Sequence, residues 1–212
     1  IRARPDDIWQ ERLYAILWLS GADLKKGKAK PKSWFETPTE EDLAREEEVA
    51  VYVERYLAEW QTAGFVPDME IEPGYNTSQP IRERAWTHWH HLFNHRHLLL
   101  NAIAAKHAKK YPHTCFGLAS LVDRNARTSR WNSAREEGQQ TFTNQAINTM
   151  LNYPARGWLY ARPFFDLSNL KGRVVSAEIR SASAIKCDFE SDFFVTDPPY
   201  ADAVQYDEIS EF

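Results

Sequence analysis

The chain of 212 residues is 43% hydrophobic and 26% charged, a balance that suits one or two domains with a real core and excludes a disordered polymer. A formal net charge of -4 excludes a uniformly basic nucleic-acid binder, so any contact with DNA must come from local patches. Cys115 and Cys187 lie far apart with no CxxC pair, which excludes a disulfide scaffold or thiolate zinc ribbon and points to a reducing, cytoplasmic setting.

Between Asp7 and Leu19 the residues Ile8, Trp9, Leu13, Ile16, Leu17 and Trp18 recur at mixed spacings, which predicts a short amphipathic helix with strand character from Tyr14 to Leu19 as the competing reading. Gly21 to Ser33, with Lys25, Lys26, Lys28, Lys30, Lys32 and Pro31, reads as an exposed basic loop. A solvated loop balanced by the acids that follow is the first account of these lysines, and a salt-sensitive contact with a nucleic-acid backbone is the second. Thr39-Glu40-Glu41-Asp42 is a helix start with its own cap, and Leu43, Val49, Val53, Tyr56, Leu57 and Trp60 carry the helix to a stop at Gly64. Pro67 to Pro80 is an irregular crossing, and Ile81 to Lys110 predicts a second long helix closed by Tyr111-Pro112.

Phe116 to Val122 fits helix or strand equally. A polar stretch from Asp123 to Gln140 follows, then a helix from Thr143 to Asn152. In the polar stretch Arg124, Arg127, Arg130 and Arg135 surround Trp131, a mixture that can hold phosphates with Arg and stack bases on Trp, or form a solvated loop anchored by its Trp. Asn144, on the next helix, is a candidate for a supporting polar contact. His88, His90, His91, His95 and His97 lie among Trp86, Trp89, Leu92 and Phe93 without the Glu of a metalloprotease helix, so packed or hydrogen-bonded imidazoles are expected and no metal site is assigned.

After Leu170 the pattern changes. Val174 to Ile179 and Phe193 to Thr196 are strand candidates, the second ends at Asp197, and a helix begins near Ala203. Strand, excursion, strand, loop, helix predicts an α/β fold, part of a doubly wound sheet, whose ligands bind outside the carboxyl ends of strands. On this reading residues 1–115 are a mainly helical insertion or accessory region and residues 116–212 belong to a catalytic domain.

Asp197-Pro198-Pro199-Tyr200 closes the second strand. A carboxylate and a backbone carbonyl held by a stiff Pro-Pro turn would accept from the two hydrogens of an aromatic amine, localising its lone pair, while Tyr200 offers a ring for the base to stack on. The competing account is an ordinary turn. The run Phe193 to Tyr200 resembles the strand and catalytic loop of S-adenosylmethionine-dependent DNA adenine amino-methyltransferases. The blocks Asp202 to Phe212, Ile71 to Tyr75, Trp86 to Phe93, Ser129 to Trp131 and Thr141 to Ala146 resemble a subgroup of large adenine-specific DNA methylases, some found among anti-phage defence genes.

That resemblance implies a methyl transfer from S-adenosylmethionine to the N6 amine of a flipped adenine, with Asp197, Pro198, Pro199 and Tyr200 catalytic and with Ser181 and Asp188, in the stretch after the first strand candidate, bordering the cofactor; an ordinary crossover between strands is the competing account of that stretch. Alternatives within it are a cytosine-N4 or RNA amine acceptor, and beyond it a noncatalytic nucleic-acid-binding or scaffold segment. It implies DNA, and partners from a defence system. No two glycines form a G-x-G, so the main cofactor site is expected outside these residues and the segment is expected to be inactive alone. Ile1 in place of a Met, and Phe212 inside a helical pattern, fit an internal fragment of a longer protein.

Overall fold

A four-residue strand, β1 (Ile16–Leu19), pairs antiparallel with β2 (Ser33–Glu36), so the strand tendency of this segment prevails over the helical one. In the computed structural model, residues 13–165 are described apart from Ala29, Asn76, Arg135, Gln140 and residues 142–156, together with Val195. Between the two strands Ser20 caps a short helix, α1 (Gly21–Lys25), its hydroxyl accepting from the Asp23 N–H at 3.3 Å. The Ser20 N–H donates to the Lys32 carbonyl at 2.8 Å and closes the hairpin, so the expected basic loop has a built base.

Thr39 starts α2 (Glu40–Thr62) through a reciprocal cap: the Thr39 N–H donates to Asp42 Oδ2 at 2.9 Å and the Asp42 N–H to Thr39 Oγ1 at 3.2 Å. Gly64 ends it at φ 72, a left-handed conformation that costs glycine least. One face of α2, through Val49, Val53, Leu57 and Trp60, packs into a core with Val66, Ile71, Trp86, Trp89, Leu92, Phe93, Leu98, Ala102 and Ala126.

The single long helix expected from Ile81 to Lys110 is broken into pieces. A helix α3 (Ser78–Arg84) stops at Ala85, whose φ is 55, a 3-10 turn covers Trp89–Leu92, and α4 (His95–Lys110) begins after them. Two causes are visible. The Ile71 N–H donates to the Thr87 carbonyl at 2.9 Å and the Trp89 N–H to the Met69 carbonyl at 3.2 Å, so an extended neighbour satisfies backbone that a helix would otherwise claim. Asn94 then restarts the helix by accepting from the His97 N–H at 2.8 Å.

Phe116 to Val122 is helical, within α5 (Cys115–Arg124). With α6 (Gly157–Ala161) it encloses a second core of Ala104, Leu121 and Ala161, flanked by Leu100, Leu118 and Phe165. The Arg-rich stretch is a hairpin: β3 (Arg130–Asn132) pairs with β4 (Glu137–Gln139), Trp131 facing Gly138. Among the described residues no helix is long and apolar enough to cross a membrane.

The expected α/β class, part of a doubly wound sheet, is corrected. Among the described residues the sheets are two antiparallel pairs and the rest is mainly helical. Antiparallel strands need only a turn between them, whereas parallel ones need a crossover, and both pairs here are local hairpins. The strand candidates 174–179 and 193–196 and the helices predicted at 143–152 and after Ala203 lie outside the described residues, except Val195, which is fully exposed and in no element.

Candidate functional site

The β1–β2 hairpin brings exposed aromatics and lysines together. Trp18 lies opposite Trp34 in the register and Ile16 opposite Glu36, and because directly opposed side chains share a face, these four define one side of the ribbon. Each indole is 40% exposed, and Trp34 Nε1 donates to Glu36 Oε1 at 2.9 Å, which fixes its ring. On the other side the Ser33 hydroxyl donates to Glu136 Oε2 at 3.0 Å, while Phe35 is 60% exposed.

The loop at the ribbon's end is organised by Asp23. Its carboxylate takes the Lys28 ammonium at 2.7 Å and the Lys32 N–H at 3.0 Å, and these bonds, that of Lys28 first, hold it below the usual carboxylate range. Lys25, Lys26, Lys30 and Lys32 are exposed, and among the described residues none of their ammonium groups forms an ion pair. Three of the acids that follow in sequence are engaged by arginines: Arg45 meets Glu41 at 2.5 Å and Asp42 at 3.0 Å, and Arg96 pairs with Glu46.

A second cluster lies at the 3-10 turn. His90 and His91 rings are 4.4 Å apart between centroids, with His88 at 5.6 and 5.3 Å from them. His91 Nδ1 accepts from the Thr87 N–H at 3.1 Å, which leaves its proton on Nε2. Burial first, then the neighbouring His90, His88 and Arg127, push His91 down to about 4, and burial followed by His88 lowers His90. His90 and His91 are therefore neutral, half-buried imidazoles tied into the fold. Among the described residues no group of three or more His, Cys, Asp or Glu is arranged to hold a metal ion.

The residues singled out from the sequence scatter. Arg127 turns inward: its N–H donates to the Leu92 carbonyl at 2.7 Å, its Nη1 to the His91 carbonyl at 3.1 Å, and its guanidinium lies 5.7 Å from the Trp86 ring centre. Arg124 bonds the Ser120 carbonyl and hydroxyl at 3.0 and 2.7 Å. Arg130 is exposed on β3 and Trp131 is half-buried beside it. Asn144, Ser181, Asp188 and Asp197 to Tyr200 lie outside the described residues. Sequence reasoning missed the Trp18–Trp34 pair, whose signal is the alternation Ile16-x-Trp18 and Trp34-x-Glu36 on either side of the lysine loop.

The methyltransferase reading, with its enzyme class and S-adenosylmethionine chemistry, is corrected along with the fold that supported it. It required a doubly wound sheet presenting cofactor and target base at the ends of its strands, and the described residues build helices and two local hairpins. No family model, no curated protein and no solved structure matches the chain.

Proposed function

We propose that this chain is a nucleic-acid-binding module whose basic hairpin loop grips the phosphate backbone, and that it works in the cytoplasm. One observation carries the reading: Lys25, at the end of α1, and Lys26, Lys30 and Lys32, in the loop after it, stand exposed and without ion pairs among the described residues, on a connection whose base is held by Asp23 and by the Ser20–Lys32 backbone bond. Lysines in this state attract a polyanion through release of its counterions, a contact that carries no sequence preference of its own. The loop gives a chain of net charge -4 the local patch that such binding needs. Exposed, unpaired Cys115 suits the reducing compartment.

The test is a titration of a labelled mixed-sequence oligonucleotide at rising salt. Four phosphate contacts predict a log–log slope of about -3 to -4. Replacing Lys25, Lys26, Lys30 and Lys32 by Gln, with Lys28 kept to hold Asp23, should flatten that slope and abolish most of the binding. Unchanged affinity and slope in the quadruple variant would refute the proposal.

A further inference from the structure

We infer that the outer face of the β1–β2 hairpin takes single-stranded polynucleotide, bases laid against Trp18 and Trp34 while the loop lysines hold the phosphates. This rests on the reading of the loop given above. Neither indole belongs to either apolar core, and each leaves 40% of its surface exposed. Exposed Trp rings on a short ribbon gain from stacking on any unpaired base, because every base has a π face. Trp34 is already oriented by its bond to Glu36, so little side-chain freedom is lost when a base arrives.

The spacing of cations and rings agrees. The Leu19–Ser33 pair separates the two indoles from the Ser20–Lys32 bond that closes the loop, so the lysines begin roughly 7 Å along the strands from the rings, two residues at about 3.3 Å each. A single nucleotide can place its base on a ring and its phosphate near a lysine at that separation. Ser33 is tied to Glu136 from the opposite face, on which Phe35 is also 60% exposed, so the Trp side is set apart by its two opposed indoles rather than by exposure alone.

A duplex fits less well. Its bases are already stacked on each other, and a ribbon entering a major groove reads it with polar side chains, whereas this face offers Ile16, two indoles and the Glu36 carboxylate, which phosphates repel. Glu36 stands at the edge of the Trp34 ring, 2.9 Å from its Nε1, on the end of the ribbon away from the lysines, so a single strand can stack on the ring while its phosphates run toward the loop.

The experiment titrates the full chain with oligo(dT), oligo(U), a duplex of the same length and phosphatidylglycerol vesicles. It compares the Trp18→Leu/Trp34→Leu and Trp18→Phe/Trp34→Phe variants with the parent. Leu keeps apolar bulk and removes the π face, and Phe keeps a smaller ring. The expected result is tighter binding to single strands than to duplex, the oligo(dT) and oligo(U) arms telling DNA from RNA. The Leu pair should weaken single-strand binding roughly 10- to 100-fold while duplex binding and its salt slope stay as in the parent, and the Phe pair should recover most of the loss. Equal affinity for single strand and duplex, equal losses on both in the Leu pair, no recovery with Phe, or a preference for vesicles would each overturn the inference. Failure here with the lysine result intact leaves the backbone-binding reading standing, whereas failure of the Gln variant removes both.

Discussion

His97 is buried on α4, and burial, reinforced by the charges of Arg127 and Arg96, pushes its pKa from 6.5 down to about 3. His91 is held at about 4 for the reasons already given. The sign follows from which state binds the proton first. Below about 6.5 the unfolded chain protonates both imidazoles while the folded chain does not, so stability is complete above that pH and drains away as it falls toward 4 and then 3. The melting temperature is expected to drop on acidification from pH 7 to 5, and His97→Leu should make the drop shallower; an unchanged pH profile in a folded variant would contradict this. The sequence made these histidines legible as packed groups, because Trp86, Trp89, Leu92 and Phe93 surround them. It did not reveal that Arg127 belongs with them, since that contact joins residues far apart in the chain and depends on how the 3-10 turn is placed.

Helix α2 shows how far local signals reach. Thr39 with Asp42 at one end and Gly64 at the other are complete instructions, and both ends stand where the sequence puts them. Nothing lies within 4 Å of a methyl group built on Gly64, so Gly64→Ala isolates the backbone cost of φ 72. A loss of about 1 kcal/mol is expected in chemical denaturation, with Gly64→Asn milder, because Asn tolerates the left-handed region better. The segment from Ile81 to Lys110 carries a single such signal, the Asn94 cap, and its apolar spacing suits a helix as well as it suits a buried turn. What divides it is the pairing of Ile71 with Thr87 and of Met69 with Trp89, which is tertiary information. The hairpin β1–β2 was legible only as a competing tendency in its first strand, and the face shared by Trp18 and Trp34 needed the register to be seen.

Across the molecule, α4 serves both cores: Leu98 and Ala102 face the first, Leu100 and Ala104 the second. A helix common to two cores couples them, so Val53→Ala in one and Leu121→Ala in the other should lower the same single transition, Leu121→Ala by about 2–5 kcal/mol. Two separable transitions, followed by far-ultraviolet dichroism and Trp emission, would show the cores to be independent. The whole-molecule expectation of a doubly wound sheet failed because it generalised from two short apolar runs to an architecture, and the residues described organise themselves through capped helices and local hairpins instead.

The Ser33 to Glu136 hydrogen bond spans 103 positions of chain. Strand pairing within β1–β2 is local and fast, but closing so long a loop carries an entropic cost that must be met before the contact gives anything back. The ribbon is therefore expected to form early and to dock late in refolding, after the helices have gathered, so that its lysine loop reaches its final orientation last.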